Sequence, residues 1–223
     1  MRIVLLGPPG VGKGTQGRRL AAACGGALIS TGEILREAVA NATPLGLEAR
    51  RQMESGRLVD DAVMIGLVRD RTLAADARDG FVLDGFPRTV PQAGALDAVL
   101  GERGQALDVV LYLWVDEEVL VRRLQGRREC PVCKRAYNTT AAAARDGIHC
   151  DDHPEVELQV RADDREEAVR QRFAEYRAKT APLVDYYTAH GRLRPVSGSG
   201  SVDSVFEALR QEAGCDSPAP REA

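Results

Sequence analysis

Two rhythms of hydrophobic positions alternate along the chain. Short, nearly continuous apolar runs at 2–6, 27–30, 81–84, 109–115 and 192–196 read as strands buried on both faces. Between them apolar residues recur every three or four positions. That spacing predicts helices over about 13–24, 32–41, 45–55, 61–73, 90–101, 117–126, 163–187 and 202–213. Alternating strands and helices imply an α/β fold: a doubly wound, parallel, five-stranded sheet with helices on both faces. Segments 30–59 and 128–160 are insertions above the C-terminal edge of the sheet, where ligands bind in this architecture. The core is then 1–29, 60–127 and 161–213, and the tail 214–223, with Pro218 and Pro220, is expected to be disordered.

Composition narrows the function classes. The 223 residues carry a net charge of −3, with 44% hydrophobic and 28% charged residues, so the chain is globular and mildly acidic. That balance gives no general attraction to nucleic acid or anionic membrane, and any anion site must come from local clusters. The longest apolar run, 109–115, is far shorter than the roughly 20 residues of a spanning helix. The chain therefore reads as cytosolic, with no membrane partner, and its five cysteines as reduced thiols or metal ligands rather than disulfides. Of its 30 basic residues only Lys13, Lys134 and Lys179 are lysines.

Lys13 stands where one is needed. Gly7-Pro-Pro-Gly-Val-Gly-Lys-Gly-Thr15 fits the pattern G-x-x-x-x-G-K between a strand and a helix, the context of a phosphate-binding loop. Its glycines let backbone N–H groups face phosphate oxygens, the helix start adds positive potential, and the lysine reaches the outer phosphates. One departure is that Gly14, not Ser or Thr, follows the lysine.

A second constellation lies in 128–160. Cys130-Pro-Val-Cys133 is followed by Cys150-Asp-Asp-His153, two knuckles with the spacing of a closed tetrahedral zinc site. His149 and Asp152 compete with His153 for the fourth place. Cys24 and Cys215 read as plain thiols.

With these residues in view, the chain resembles the adenylate kinase family of nucleoside monophosphate kinases. The loop is that family's variant. Further matches are Ser30-Thr31-Gly32-Glu33-Ile34-Leu35-Arg36, Gly56-Arg57-Leu58-Val59, Asp84-Gly85-Phe86-Pro87-Arg88 with Gln92, Gly126-Arg127-Arg128, and Arg161-Ala162-Asp163-Asp164 with Arg172. The resemblance implies ATP + AMP ⇌ 2 ADP with magnesium, an AMP-binding helical insert at 30–59, a structural zinc in a lid at 128–160, and a monomer. It implies that Gly10, Val11, Gly12, Lys13, Gly14 and Thr15 bind ATP, with Arg123, Arg127, Ala136, Tyr137 and Gly200. Arg123 would lie over the ATP base and the backbone of 197–200 beside it. Thr31, Arg36, Arg57, Leu58, Val59, Gly85, Phe86, Pro87, Arg88, Gln92, Arg161 and Arg172 would bind AMP, with a cis peptide before Pro87. Lys13, Arg88, Arg127, Arg161 and Arg172 would surround the transferring group. Asp84 would organise magnesium, helped by Glu33, where the family more often has Asp.

The residues add an argument of their own. Phosphoryl transfer needs alignment and charge neutralisation more than a base, and guanidinium forks suit phosphate oxygens. A Gln amide offers both a donor and an acceptor to adenine, so Gln92 and Thr31 favour AMP over UMP or CMP as acceptor. Thr31 also suits a helix N-cap. Two other classes compete: a zinc-ribbon module for nucleic acid and a regulatory NTPase. The knuckles lack interleaved basic and aromatic residues, and no N-K-x-D motif for guanine is present.

Overall fold

A computed structural model describes residues 1–139 and 146–215. The strands are β1 (Arg2–Leu6), β2 (Ala27–Ser30), β3 (Phe81–Asp84), β4 (Val109–Trp114), β5 (Arg127–Glu129), β6 (Ala136–Asn138) and β7 (Leu193–Ser197). The helices are α1 (Lys13–Cys24), α2 (Thr31–Ala40), α3 (Pro44–Glu54), α4 (Asp61–Leu73), α5 (Val90–Gly101), α6 (Glu117–Gln125), α7 (Glu166–Glu175), α8 (Pro182–Ala189) and α9 (Val202–Ala213). Five strands pair in parallel in the order β2-β3-β1-β4-β7, while β5 and β6 form a separate antiparallel hairpin.

The continuous apolar runs serve two cores at once, because successive side chains of a strand face opposite ways. From β1, Ile3 and Leu5 enter a cluster with Leu20 of α1, Leu124 of α6 and Leu209 of α9. Val4 and Leu6 enter the other, with Leu96 and Leu100 of α5 and Leu183 and Tyr187 of α8. The order reverses at β1, flanked by β3 and β4. Such a switch point opens a crevice at the C-terminal ends of the strands. The glycine loop after β1, Thr31 after β2 and Asp84 at the end of β3 all lie at that edge.

The helices foreseen over 163–187 are a 3₁₀ turn at Ala162–Asp164, then α7, a π-helical turn at Tyr176–Thr180, and α8. Pro182 has no N–H to continue the helical ladder, and Ala181 N–H reaches back five residues to the Tyr176 carbonyl (2.8 Å). One expectation needs correction: Cys24 and Cys215, expected as free thiols, form a disulfide across 191 residues of sequence. Gly214 closes α9 in the left-handed conformation and turns the chain back, so that Cys215 is buried beside the C-terminal end of α1. Of the tail 214–223, residues 216–223 lie outside the described part.

Helices α2 and α3 pack tightly where α3 begins. Thr43 caps α3 by accepting from Gly46 N–H (3.1 Å), and a Cβ on Gly46 would stand 2.0 Å from the Ala38 carbonyl oxygen. Gly46→Ala must force the pair apart. Overpacking of this kind costs about 1–3 kcal/mol. The expected result is a lower midpoint in urea unfolding, checked against Gly94→Ala, where a Cβ would meet nothing within 4 Å.

Candidate functional site

The glycine loop is shaped by what surrounds it. Gly7, Gly10 and Gly12 all have positive φ. A Cβ on Gly7 would lie 2.5 Å from the Leu113 carbonyl oxygen, and one on Gly10 would lie 2.9 Å from Leu124, so β4 and α6 press the loop into its turn. Val11 turns its side chain into the core, which leaves its backbone to the loop. Lys13 opens α1 and folds over the loop, donating to the Gly7 and Pro8 carbonyls (2.7 and 3.0 Å). Burial pulls its pKa from 10.5 to about 8; Asp84 opposes the fall, while Arg88, Arg172 and Arg127 add to it. Gly14 lies beside Asp84, whose Oδ2 a Cβ there would meet at 3.4 Å, an ordinary contact distance. Thr15 is exposed on the outer side of the first turn.

Next to the loop is a cavity bordered by α2, the 56–59 turn, Gly85, Arg88, Gln92, Arg161 and Arg172. Every residue expected around AMP borders it except Phe86 and Pro87. Phe86 is buried in the core beneath, and the Phe86–Pro87 peptide is cis, as the resemblance implies. Arg57 borders the cavity although it is exposed. Thr31 is fully buried and donates to the Asp84 carbonyl (3.3 Å); it is the first residue of α2, whose N-cap is Ser30. The 56–59 turn is seated by Gly56, whose φ is +75° and whose Cβ would stand 2.5 Å from the Ala168 carbonyl of α7.

The basic side chains are oriented by acids. Arg127 makes a two-pronged pair with Asp164 (2.6 and 2.5 Å), and Arg172 donates to the same carboxylate (3.0 Å) and to Asp163 (3.1 Å). Arg161 pairs with Glu129 of β5. Arg88 Nε donates to the Gly85 carbonyl (2.8 Å). Burial and crowding by one another push the affinities of Arg36, Arg88, Arg161 and Arg172 for their protons below the usual arginine value. Even so, arginine stays charged at neutral pH. Burial pushes the Asp163 carboxyl up, and Arg172 and Arg127 more than offset it. Asp163 and Asp164 were visible only as part of a motif, and Glu129, set between a basic run and a cysteine, carried no signal. Glu33 is engaged by Arg18 near the surface, which leaves Asp84 as the carboxylate beside the loop.

On the far side of the loop, Arg123 of α6 donates to the Gly198 carbonyl (3.1 Å), so the arginine and the 197–200 turn share one place. Gly200 and Ala136 are exposed. The ring of Tyr137 is buried in the hairpin's own small cluster, and its hydroxyl accepts from Asp151 N–H (3.0 Å). Its backbone pairs with Arg128 of β5.

Cys130, Cys133, Cys150 and His153 converge, with their donor atoms all within 4.8 Å of one another. Cys133 and Cys150 sulfurs are 3.6 Å apart, and His153 Nδ1 is 3.6 Å from Cys150 Sγ and 3.9 Å from Cys130 Sγ. Zinc–sulfur bonds of about 2.3 Å in a tetrahedron place sulfurs about 3.7 Å apart, so the donors fit such an ion. The two competitors are committed elsewhere: His149 pairs with Asp146 (2.7 Å), and Asp152 with Arg135 (2.9 Å).

A sequence profile described as "Adenylate kinase" matches residues 5–192. Curated relatives named "Adenylate kinase" include one of Thermodesulfovibrio yellowstonii, 48% identical over 94% of this chain and 97% of its own. Others are one of Salinispora tropica, 48% identical over 96% and 100%, and one of Acidothermus cellulolyticus, 50% identical over 92% and 94%.

The donor geometry yields a direct test. In zinc titration His153→Ala is expected to bind at least about tenfold more weakly than the starting protein, while His149→Ala binds equally well. Loss in His149→Ala with full binding in His153→Ala would return the fourth position to His149.

Proposed function

The chain belongs to the adenylate kinase family, and we propose that it transfers the terminal phosphoryl group of ATP reversibly to AMP, giving two molecules of ADP. The observation that carries this reading is that the glycine loop with Lys13 and the cavity bordered by Arg88 lie at one sheet edge with Asp84. The loop and Lys13 would hold ATP phosphates, and Arg36 and Arg88 the AMP phosphate. Arg127, Arg161 and Arg172, in cleft positions between the two, would neutralise the group in flight. The acceptor phosphate is largely dianionic at pH 7, so it attacks without a base. Gln92 and Thr31 would read the AMP base, and Arg123 with the 197–200 backbone would cover that of ATP.

The carboxylate of Asp84 beside Gly14 suits a hydrated magnesium ion, which would neutralise phosphate charge during transfer. The four donors at Cys130, Cys133, Cys150 and His153 suit zinc and leave no open position, so that ion would be structural. Among the described residues the hairpin offers around them only a small cluster with Tyr137, Val156 and Leu158, so metal binding would supply much of its folding energy. Exposed large apolar side chains, such as Leu47, Trp114 and Val202, sit on separate elements, which supports a monomer. Among the described residues no helix is long and apolar enough to cross a membrane, and we place the enzyme in the cytosol.

The test is ADP formation from ATP with AMP, CMP, UMP or GMP; the reading requires strong dependence on AMP. Lys13→Met is expected to lower kcat about a thousandfold with little change in Tm. The wild-type pH profile carries a further expectation. Lys13 must be charged to neutralise phosphate, so kcat/KM for ATP falls as pH rises through about 8. In the saturated complex bound phosphate raises that pKa, and the alkaline limb of kcat lies higher. Zinc removal is expected to lower Tm while turnover at low temperature largely persists.

A further inference from the structure

Gln92 is 2% exposed, yet both ends of its amide are already engaged. Its Oε1 accepts from the backbone N–H of Arg88 (2.7 Å), and its Nε2 donates to Asp61 Oδ1 (2.7 Å). Asp61 comes from the first turn of α4, thirty-one residues earlier in the chain. Its other oxygen accepts from Thr89 Oγ1 (2.8 Å), the cap of α5, whose hydroxyl in turn accepts from Gln92 N–H (3.3 Å). The Arg88 backbone is fixed from its other side by Thr180 Oγ1, which donates to its carbonyl (2.9 Å).

An amide has two orientations that fill nearly the same space with donor and acceptor exchanged. Here neither end tolerates the exchange. A carboxylate only accepts, so nitrogen must face Asp61, and a backbone N–H only donates, so oxygen must face Arg88. One N–H and one oxygen lone pair remain for a ligand, in a fixed order, on a residue that borders the cavity. The order matters for the purine. Adenine presents an acceptor at N1 beside a donor on N6, whereas a 6-oxopurine presents a donor at N1 beside an acceptor at O6. Turning the amide over would exchange the preferred base.

Resting on the AMP-kinase reading above, we infer that Asp61 is a positioning residue that sets acceptor specificity: it holds the Gln92 amide in the orientation that matches adenine and mismatches 6-oxopurines. It does so without touching nucleotide, from an element outside the phosphate-binding segments.

The experiment compares AMP with inosine monophosphate as acceptor. Wild-type activity with AMP is measured first; its absence overturns the kinase reading itself. Given that activity, Asp61→Ala is expected to raise KM for AMP about tenfold, leave KM for ATP within about twofold, and lower the AMP-to-inosine ratio of kcat/KM about tenfold. Asp61→Asn can turn its amide oxygen to the same N–H, and is expected to keep that ratio within about threefold. An unchanged ratio in Asp61→Ala, or equal rises in both KM values with a fall in Tm, overturns the role of Asp61. A measurement on the wild-type chain needs no variant. With no nucleotide present, one proton of the Gln92 side-chain amide is expected to be protected from solvent exchange by NMR. Two freely exchanging protons would equally overturn the inference.

Discussion

Six cationic side chains share one cleft, and their mutual repulsion is the constraint around which the rest is arranged. Two unit charges 4 Å apart interact by about 4 kcal/mol at the effective dielectric near a protein surface. Lys13, Arg36, Arg88, Arg127, Arg161 and Arg172 cannot be gathered without compensation. Asp84, Asp163, Asp164 and Glu129 supply it in part, with the Asp164 side chain wholly enclosed and serving Arg127 and Arg172 together. On the proposed reading, the remaining excess of positive charge is what an incoming polyphosphate would meet. Burial is the main cause of the lowered proton affinity of Lys13, and Arg88, Arg172 and Arg127 add to it against Asp84. A site so arranged needs no general base, because its contribution is potential and geometry fixed in advance.

The fold places those charges by ending strands at one edge. β1 runs straight into the glycine loop, β3 ends on Asp84, and the register of Leu5 with Asp84 brings the carboxylate level with the loop. The later arginines come from α7 and the segment before it, and two distant contacts tie them to the insertions. Gly56 lets the 56–59 turn close on Ala168, one turn before Arg172, and Glu129 links Arg161 to β5. The cation cluster is therefore assembled from segments that meet only in the folded chain.

What the sequence disclosed follows from that distinction. The glycine loop, the Cys130–Cys133 knuckle and the alternation of strand and helix are local patterns, and they translated directly into structure. Within 163–187 the apolar spacing shows helices but not their boundaries, which Pro182 helps to set because it cannot continue a helical ladder. The Cys24–Cys215 disulfide had no local signature, because its halves come from the end of α1 and the turn after α9. The fourth donor was ambiguous for a similar reason: what separates His153 from His149 is that Asp146 has already taken the latter. Glu129 and Asp61 were ordinary surface acids until folding set them against Arg161 and Gln92.

Residues that touch ligand and residues that aim them are thus differently legible. Lys13, Arg88 and Gln92, the proposed contact residues, lie at short offsets from strand ends, so they are visible as local sequence patterns. The groups that aim them need only reach the right atom, and can come from any element packed nearby. Asp164 aims two arginines by offering both carboxylate oxygens, and Asp61 aims one amide by being unable to donate. In both cases the constraint is directional, since a carboxylate fixes which atom of its partner faces it. A change at such an acid leaves the contact residues in place and alters the direction in which they point. Its effect should therefore appear as altered discrimination between ligands before it appears as lost binding.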